Sequence, residues 1–284
     1  MMHANRKPAA LALCALIAGL CVPSANAQGN RPVTAPRVPK PVVASTPAGI
    51  RSVANRVGPC VVTVQVVAKM TVSMTGSQSS DREQKLETFG TVIDPSGLTV
   101  VALSQIDPLA VVGQFITDSS TNIRSQITDV KMLTASGTEI KATIVLRDKD
   151  QDLAFIRPTA KINPAPVWLD IKKNTPVQVA DEVILVGRMS KVLNRAISTH
   201  VTRVRALVDR PRTRYVLDMQ ESDEFGCPVM AMDGRVVGIR VIKVLRPQGS
   251  DARARAADLN KNTMSVIVPA EDILDVMSQL PPAK

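Results

Sequence analysis

The chain has 284 residues, 35 Lys and Arg against 25 Asp and Glu, and a net charge of +10. Aromatic residues make up only 2% of it, with one Trp and one Tyr, so stacking platforms for single-stranded nucleic acid are excluded. The basic residues are scattered, with small clusters at Arg210–Arg214 and Arg253–Arg255. They suit a solvated surface or, as a sharper alternative, a patch for anionic cell-envelope polymers.

The N-terminus reads as a secretory signal peptide over residues 1–27. Arg6 and Lys7 form a positive start, Ala9 to Val22 an apolar core too short to span a bilayer, and Ala25-Asn26-Ala27 a small-residue cleavage site. Cys14 and Cys21 each follow a leucine, where a lipidation signal wants a small residue. Removing residues 1–27 takes away Arg6 and Lys7 and leaves 33 basic against 25 acidic residues, or +8. Residues 28–48, rich in Pro, Val and Ala with Arg31, Arg37 and Lys40, read as an extended basic tether. The folded domain is expected over 49–284.

Ala48 to Val57 has apolar residues at helical spacing and stops at Gly58-Pro59. The period then changes to that of short strands. Val61–Val67, Thr88–Ile93, Leu98–Leu103, Asp129–Leu133, Glu139–Leu146, Leu153–Ile156, Val183–Val186, Ala196–Val204 and Val236–Val241 all read as strands. Turn residues separate many of them, at Asp94-Pro95-Ser96-Gly97, Ala135-Ser136-Gly137 and Asp233-Gly234. A second helix is expected near 270–280, between Pro269 and Pro281-Pro282. The pattern predicts an antiparallel all-β protein.

Several segments, in order, resemble the protease domain of HtrA-type members of the trypsin-like serine proteases. Phe89-Gly90-Thr91-Val92-Ile93-Asp94-Pro95-Ser96-Gly97 resembles the family's first hairpin, and Asp152-Leu153-Ala154 its Asp-Leu-Ala segment. Asp181 to Gly187 resembles Gly-Asp-x-Val-x-Ala-Ile-Gly, and Ser265 to Ala270 the closing Phe-Ala-Ile-Pro segment. Gln220 to Val229, followed by Asp233-Gly234 and Val236-Val237-Gly238-Ile239, resembles the nucleophile loop Gly-Asn-Ser-Gly-Gly-Pro and its following strands. The resemblance implies a double six-stranded antiparallel β-barrel with short N- and C-terminal helices. Barrel 1 would run over about 58–160, barrel 2 over about 170–270 and the last helix over about 270–280. Residues 49–284 leave nothing over for the PDZ domain such proteases usually carry.

The resemblance also implies that the catalytic residues are lost. Phe225 stands at the nucleophile position, where a benzyl group offers neither a proton to lose nor a lone pair. Ser104 stands where the histidine base would be, and a hydroxyl has no useful basicity near neutral pH. Asp152 fills the carboxylate position. Asp223 replaces the glycine whose N–H would serve the oxyanion hole, where a carboxylate repels the developing charge. His200 falls in the second barrel and reads as a strand histidine. Ser222 and Cys227 are the remaining candidate nucleophiles, with no evident base in reach. No cofactor is implied, and the sparse His and Cys form no metal-ligand cluster.

A protease cleft holds peptide as an added strand, which needs no triad. The leading expectation is therefore an exported, periplasmic or extracellular pseudoprotease that binds peptides or partner proteins in the inter-barrel cleft. The alternatives are an active serine endopeptidase and a structural envelope protein bound to anionic polymer. A nucleic-acid partner is not expected, nor a transmembrane segment in the mature chain. Family members often form trimers through N-terminal segments, so a homo-oligomer stays open. The two cysteines outside the signal peptide, Cys60 and Cys227, suit a disulfide in an oxidising compartment, and the resemblance brings their segments near each other. Two buried free thiols are the alternative.

Overall fold

A computed structural model describes residues 46–74, 79–109, 121–134, 137–218, 224–244 and 263–282. The signal peptide, most of the tether, Ala135, Ser136, Ser222, Asp223 and the Arg253–Arg255 cluster lie outside the described residues. All of the following concerns the single compact unit that contains both barrels.

Helix α1 spans Pro47–Val57. Thr46 caps it, its Oγ1 accepting from the Gly49 N–H at 3.2 Å, and Pro47 occupies the first helical position, where no N–H is required. Val53 and Val57, four apart, are its buried face. A single 3₁₀ turn, Gly58–Cys60, then feeds the first strand.

Twelve strands follow among the described residues: β1 Val61–Met74, β2 Ser80–Val92, β3 Thr99–Ala102, β4 Thr121–Leu133, β5 Glu139–Asp148, β6 Leu153–Pro158, β7 Glu182–Arg188, β8 Ile197–Val208, β9 Arg214–Leu217, β10 Pro228–Ala231, β11 Val236–Val244 and β12 Thr263–Pro269. They close into two antiparallel barrels, in the order β1-β2-β3-β6-β5-β4 and β10-β11-β12-β9-β8-β7. Helix α2, Leu103–Ile106, follows β3, and helix α3, Ala270–Met277, follows β12 with Ala270, Ile273 and Val276 buried. The fold is the trypsin-like double barrel.

Two of the expected turns have the geometry their residues favour. At Asp94–Gly97 the Asp94 Oδ1 accepts from Ser96 N–H at 2.7 Å, and Gly97 takes φ +91°. Gly234 closes the β10–β11 turn with φ +81° and Gly234 N–H donating to Ala231 O at 2.8 Å.

Three strands run longer than their apolar stretches suggested. β1 pairs with β2 from Val61↔Thr91 out to Val72↔Ser80, and with β4 out to Met74↔Thr121. The outer half of β2, Ser80–Lys85, is exposed throughout. This ribbon leaves the barrel, so its strand residues need no apolar face.

The core has three parts. One fills barrel 1, around Val64, Val92, Val101, Leu103, Met132 and Ile156. A second lies mainly in barrel 2, around Val183, Leu185, Cys227, Val229 and Ile267. The third joins residues of both barrels, such as Val100 and Phe155 with Met230 and Val241, to α1 and α3. That shared core fixes one barrel against the other, and the candidate site lies where they meet.

Candidate functional site between the barrels

Asp152 is the centre of the site. It sits in the β5–β6 turn in the left-handed region, φ +56°, and is 2% exposed. An aspartate tolerates that conformation better than most side chains. Its Oδ1 accepts from the Ser104 N–H at 2.6 Å, and its Oδ2 accepts from the Ser104 Oγ–H at 2.9 Å. Oδ2 also accepts from the Ile242 N–H of β11 at 2.9 Å. The Asp152 backbone O accepts from Leu103 N–H at 3.0 Å, which pins the start of α2. One carboxylate thus ties α2 and β6 of barrel 1 to β11 of barrel 2.

Burial pushes the Asp152 carboxyl up to about 6, against the hydrogen bonds from Ile242 and Ser104 and the nearby Lys243 ammonium, which favour the charged form. Next to it, Gln151 Oε1 accepts from Arg214 Nη2 at 3.0 Å, and Arg214 Nη1 binds Asp272 Oδ2 at 2.7 Å. This nearly buried guanidinium links the barrel 1 turn to β9 and α3.

Phe225 lies just before β10, half-buried against the shared core. The guanidinium of Arg240, a fully buried residue on β11, sits 4.9 Å from the centre of its ring. Arg240 Nε donates to Ser265 Oγ at 2.7 Å. Ser104 and Asp152 are brought together; Phe225 is held from the same strand, β11, that supplies the Ile242 N–H.

Gly226, beside Phe225, has φ +80°, and a Cβ there would strike the Phe89 carbonyl oxygen. Its N–H donates to Arg240 O at 2.8 Å, and its O accepts from Thr91 Oγ1 at 2.8 Å. The loop therefore packs directly on barrel 1.

His200 is the one histidine among the described residues. Its Nε2 lies 3.2 Å from Glu224 Oε2, and Glu224 Oε1 accepts from Ser198 Oγ–H. Gly187 leaves the room that the Glu224 carboxylate occupies. His200 therefore serves Glu224, while Asp152 is satisfied by Ser104 and Ile242.

The expected Cys60–Cys227 bridge is not formed: both are free, buried thiols. Their neighbours differ. Cys60 packs in the shared core with α1, its thiol 3.9 Å from Arg56 O, and Cys227 packs inside barrel 2. Between their segments runs the Arg188 side chain, donating to Gly58 O at 2.9 Å and Val61 O at 2.5 Å. Burial raises the Cys60 thiol to about 11, and burial, then the Glu224 carboxylate, raise Cys227 well above the usual thiol range. A thiol so held is not a nucleophile at neutral pH.

Sequence reading did not find Arg240, Glu224 or Arg214. The only signal for Arg240 was a cation inside the apolar run Val236–Val244. Among the described residues no three His, Cys, Asp or Glu side chains gather as a metal site, and no helix is long and apolar enough to cross a membrane.

Two closed six-stranded antiparallel barrels define a trypsin-like peptidase fold. The trypsin-like peptidase domain matches residues 90–239, and the chain belongs to that family. Among solved structures it is similar to the MamO protease domain from Magnetospirillum magneticum (apo form), at 16% identity and a TM-score of 0.49, covering 80% of this chain and 98% of that one. No curated protein matches the chain.

Proposed function

We propose that this chain is an exported trypsin-like protease homologue without catalytic activity, which acts by binding an extended peptide or a partner protein between its barrels. One observation carries the reading: Ser104 engages both carboxylate oxygens of Asp152 with its N–H and its hydroxyl. That is the place where a protease needs an imidazole to take the nucleophile's proton. A hydroxyl satisfied by a carboxylate takes no proton from a neighbour.

Phe225, a residue without a nucleophilic atom, agrees with the same reading. Its half-buried ring offers an apolar contact to a bound strand. The family's way of holding peptide, as an added β-strand, uses backbone groups and side-chain pockets and survives loss of the triad.

The test has two arms. Fluorescent casein and a serine-directed fluorophosphonate should show no turnover and no labelled protein. A library of unstructured peptides, read by fluorescence polarisation, should contain binders whose affinity falls several-fold in Phe225→Ala. Casein cleavage blocked by the fluorophosphonate would overturn the loss of catalysis. Peptide affinity indifferent to Phe225 would overturn binding in the cleft.

A further inference from the structure

We infer that Glu224 is the positioning residue for Phe225: its carboxylate, seated in a notch of the β7–β8 hairpin, fixes the loop that holds the Phe225 ring over Arg240. The inference rests on the proposed role of Phe225 in binding peptide and goes on to what sets the ring in place.

The notch is made by one missing Cβ and two polar side chains. Gly187 of β7 pairs with Ser198 of β8, and a Cβ at Gly187 would lie 2.7 Å from Glu224 Cδ and 2.9 Å from its Cγ. Any larger residue at 187 would therefore displace the Glu224 side chain. Ser198 and His200, two apart on β8, share a face. Ser198 Oγ–H donates to Glu224 Oε1, and His200 Nε2 lies 3.2 Å from Oε2. Each carboxylate oxygen thus meets its own partner on one strand. Glu224 is only 5% exposed, and a carboxylate is costly to bury unless hydrogen-bonded. The site suits a side chain of this length ending in two acceptors.

Phe225 is half-buried, so burial by itself determines its ring weakly. Its neighbours on both sides are tied down instead. Gly226 N–H donates to Arg240 O at 2.8 Å, and Gly226 O accepts from Thr91 Oγ1 at 2.8 Å. A glycine alone is a pivot, because its backbone has more conformations open to it. Glu224, locked into barrel 2, supplies the second fixed point. With residues 224 and 226 both held, the backbone of residue 225 is set and only its side-chain rotation is left. A ring set in advance loses less freedom when a ligand binds. Simple filling of the notch would be served as well by an apolar side chain, and that difference can be measured.

The test uses the full chain labelled with 4-fluorophenylalanine. It has four Phe residues, and the fluorine resonance of Phe225 is the one lost in Phe225→Leu. In Gly187→Ala and in Glu224→Leu that resonance should move towards its unfolded-chain position, while the resonance of buried Phe155 stays and reports an intact fold. Glu224→Gln keeps the length, an acceptor for Ser198 and an amide that the other His200 tautomer accepts, so it should keep the parent resonance. A Phe225 resonance unmoved in Glu224→Leu would overturn the proposal in favour of simple filling. In a Glu224→Ala background the notch is empty, and Gly187→Ala should shift the resonance no further; a second shift as large as the first would also overturn it. Peptide affinity should fall several-fold in Gly187→Ala and hold in Glu224→Gln. A moved resonance with unchanged affinity would leave Glu224 as the positioning residue and overturn instead the role of Phe225 in binding.

Discussion

The two oxygens of Asp152 are divided between the N–H and the Oγ–H of Ser104, at 2.6 and 2.9 Å. The carboxylate is also bound by Ile242 N–H from the other barrel, so it is satisfied without an imidazole. Asp152 thereby joins the two barrels.

Placing a serine at position 225 is therefore expected to give no activity. Phe225→Ser supplies a hydroxyl but no general base, because Ser104 remains against Asp152 and His200 remains with Glu224. Casein turnover should stay at the buffer rate. Because triad members act as a unit, turnover in Phe225→Ser would mean that a base lies within reach.

Asp152 sets a pH dependence of stability. Its carboxyl ionises near 6 in the fold, above the ordinary 3.8, so the fold binds that proton more tightly than the unfolded chain does. The contribution is present in full below about 4 and is lost as pH rises through about 6; it amounts to about 3 kcal/mol. Urea unfolding between pH 4 and 7 should show parent stability falling relative to Asp152→Asn across that window. Parallel curves for the two proteins would remove Asp152 as the source.

Much of this was legible in the sequence. In longer strands with a buried face, such as Val61–Val67 and Leu153–Ile156, apolar β-branched and aromatic residues announced it. The outer parts of β1, β2 and β4 were not legible, since an exposed ribbon leaves Ser80–Lys85 as polar as a loop. β9 and β10 were missed because Arg214–Leu217 and Pro228–Ala231 are each four residues long and entirely buried, with no alternation to read. At the site, the resemblance singled out Ser104, Asp152 and Phe225, and Ser104 does meet Asp152. It did not reveal Glu224 beside His200, because that pair joins β8 to a loop 24 residues further on. Nor did it reveal that Arg188 runs between the segments of Cys60 and Cys227, where a disulfide had looked reasonable.

The thiols give a direct chemical check. Cys60 and Cys227 are both free and buried, and burial raises both. The native protein at pH 8 should react slowly or not at all at either position with an aromatic disulfide reagent. In urea without reductant both should react. Failure of the pair to react in urea would reveal a bridge.

Arg214 couples Gln151, the neighbour of Asp152, to Asp272 of α3. Arg214→Met keeps much of the volume but leaves the Gln151 oxygen and the mostly buried Asp272 carboxylate without their donor. A loss of about 2–3 kcal/mol is expected in urea unfolding. Hydrogen exchange should speed up in 270–277 more than in barrel 1. A stability change under about 0.5 kcal/mol would show that water replaces the guanidinium at little cost.

Gly226 leaves little room for change. Its φ of +80° lies where an L side chain is strained, and a Cβ would run into the backbone oxygen of Phe89 rather than into a movable side chain. The two constraints add, because turning the peptide to relieve one breaks the hydrogen bonds from Gly226 N–H to Arg240 O and from Thr91 Oγ1 to Gly226 O. Strain alone costs on the order of 1–3 kcal/mol, and displaced barrel 1 backbone adds to it. Gly226→Ala should therefore lose about 3 kcal/mol or more in chemical unfolding, and Phe225 should leave its place over Arg240. Gly137 is the control: it also has positive φ, +81°, but no atom within 4 Å of an added Cβ. Gly137→Ala should cost only the strain. Equal losses at the two glycines would show that the contact with Phe89 does not constrain the loop.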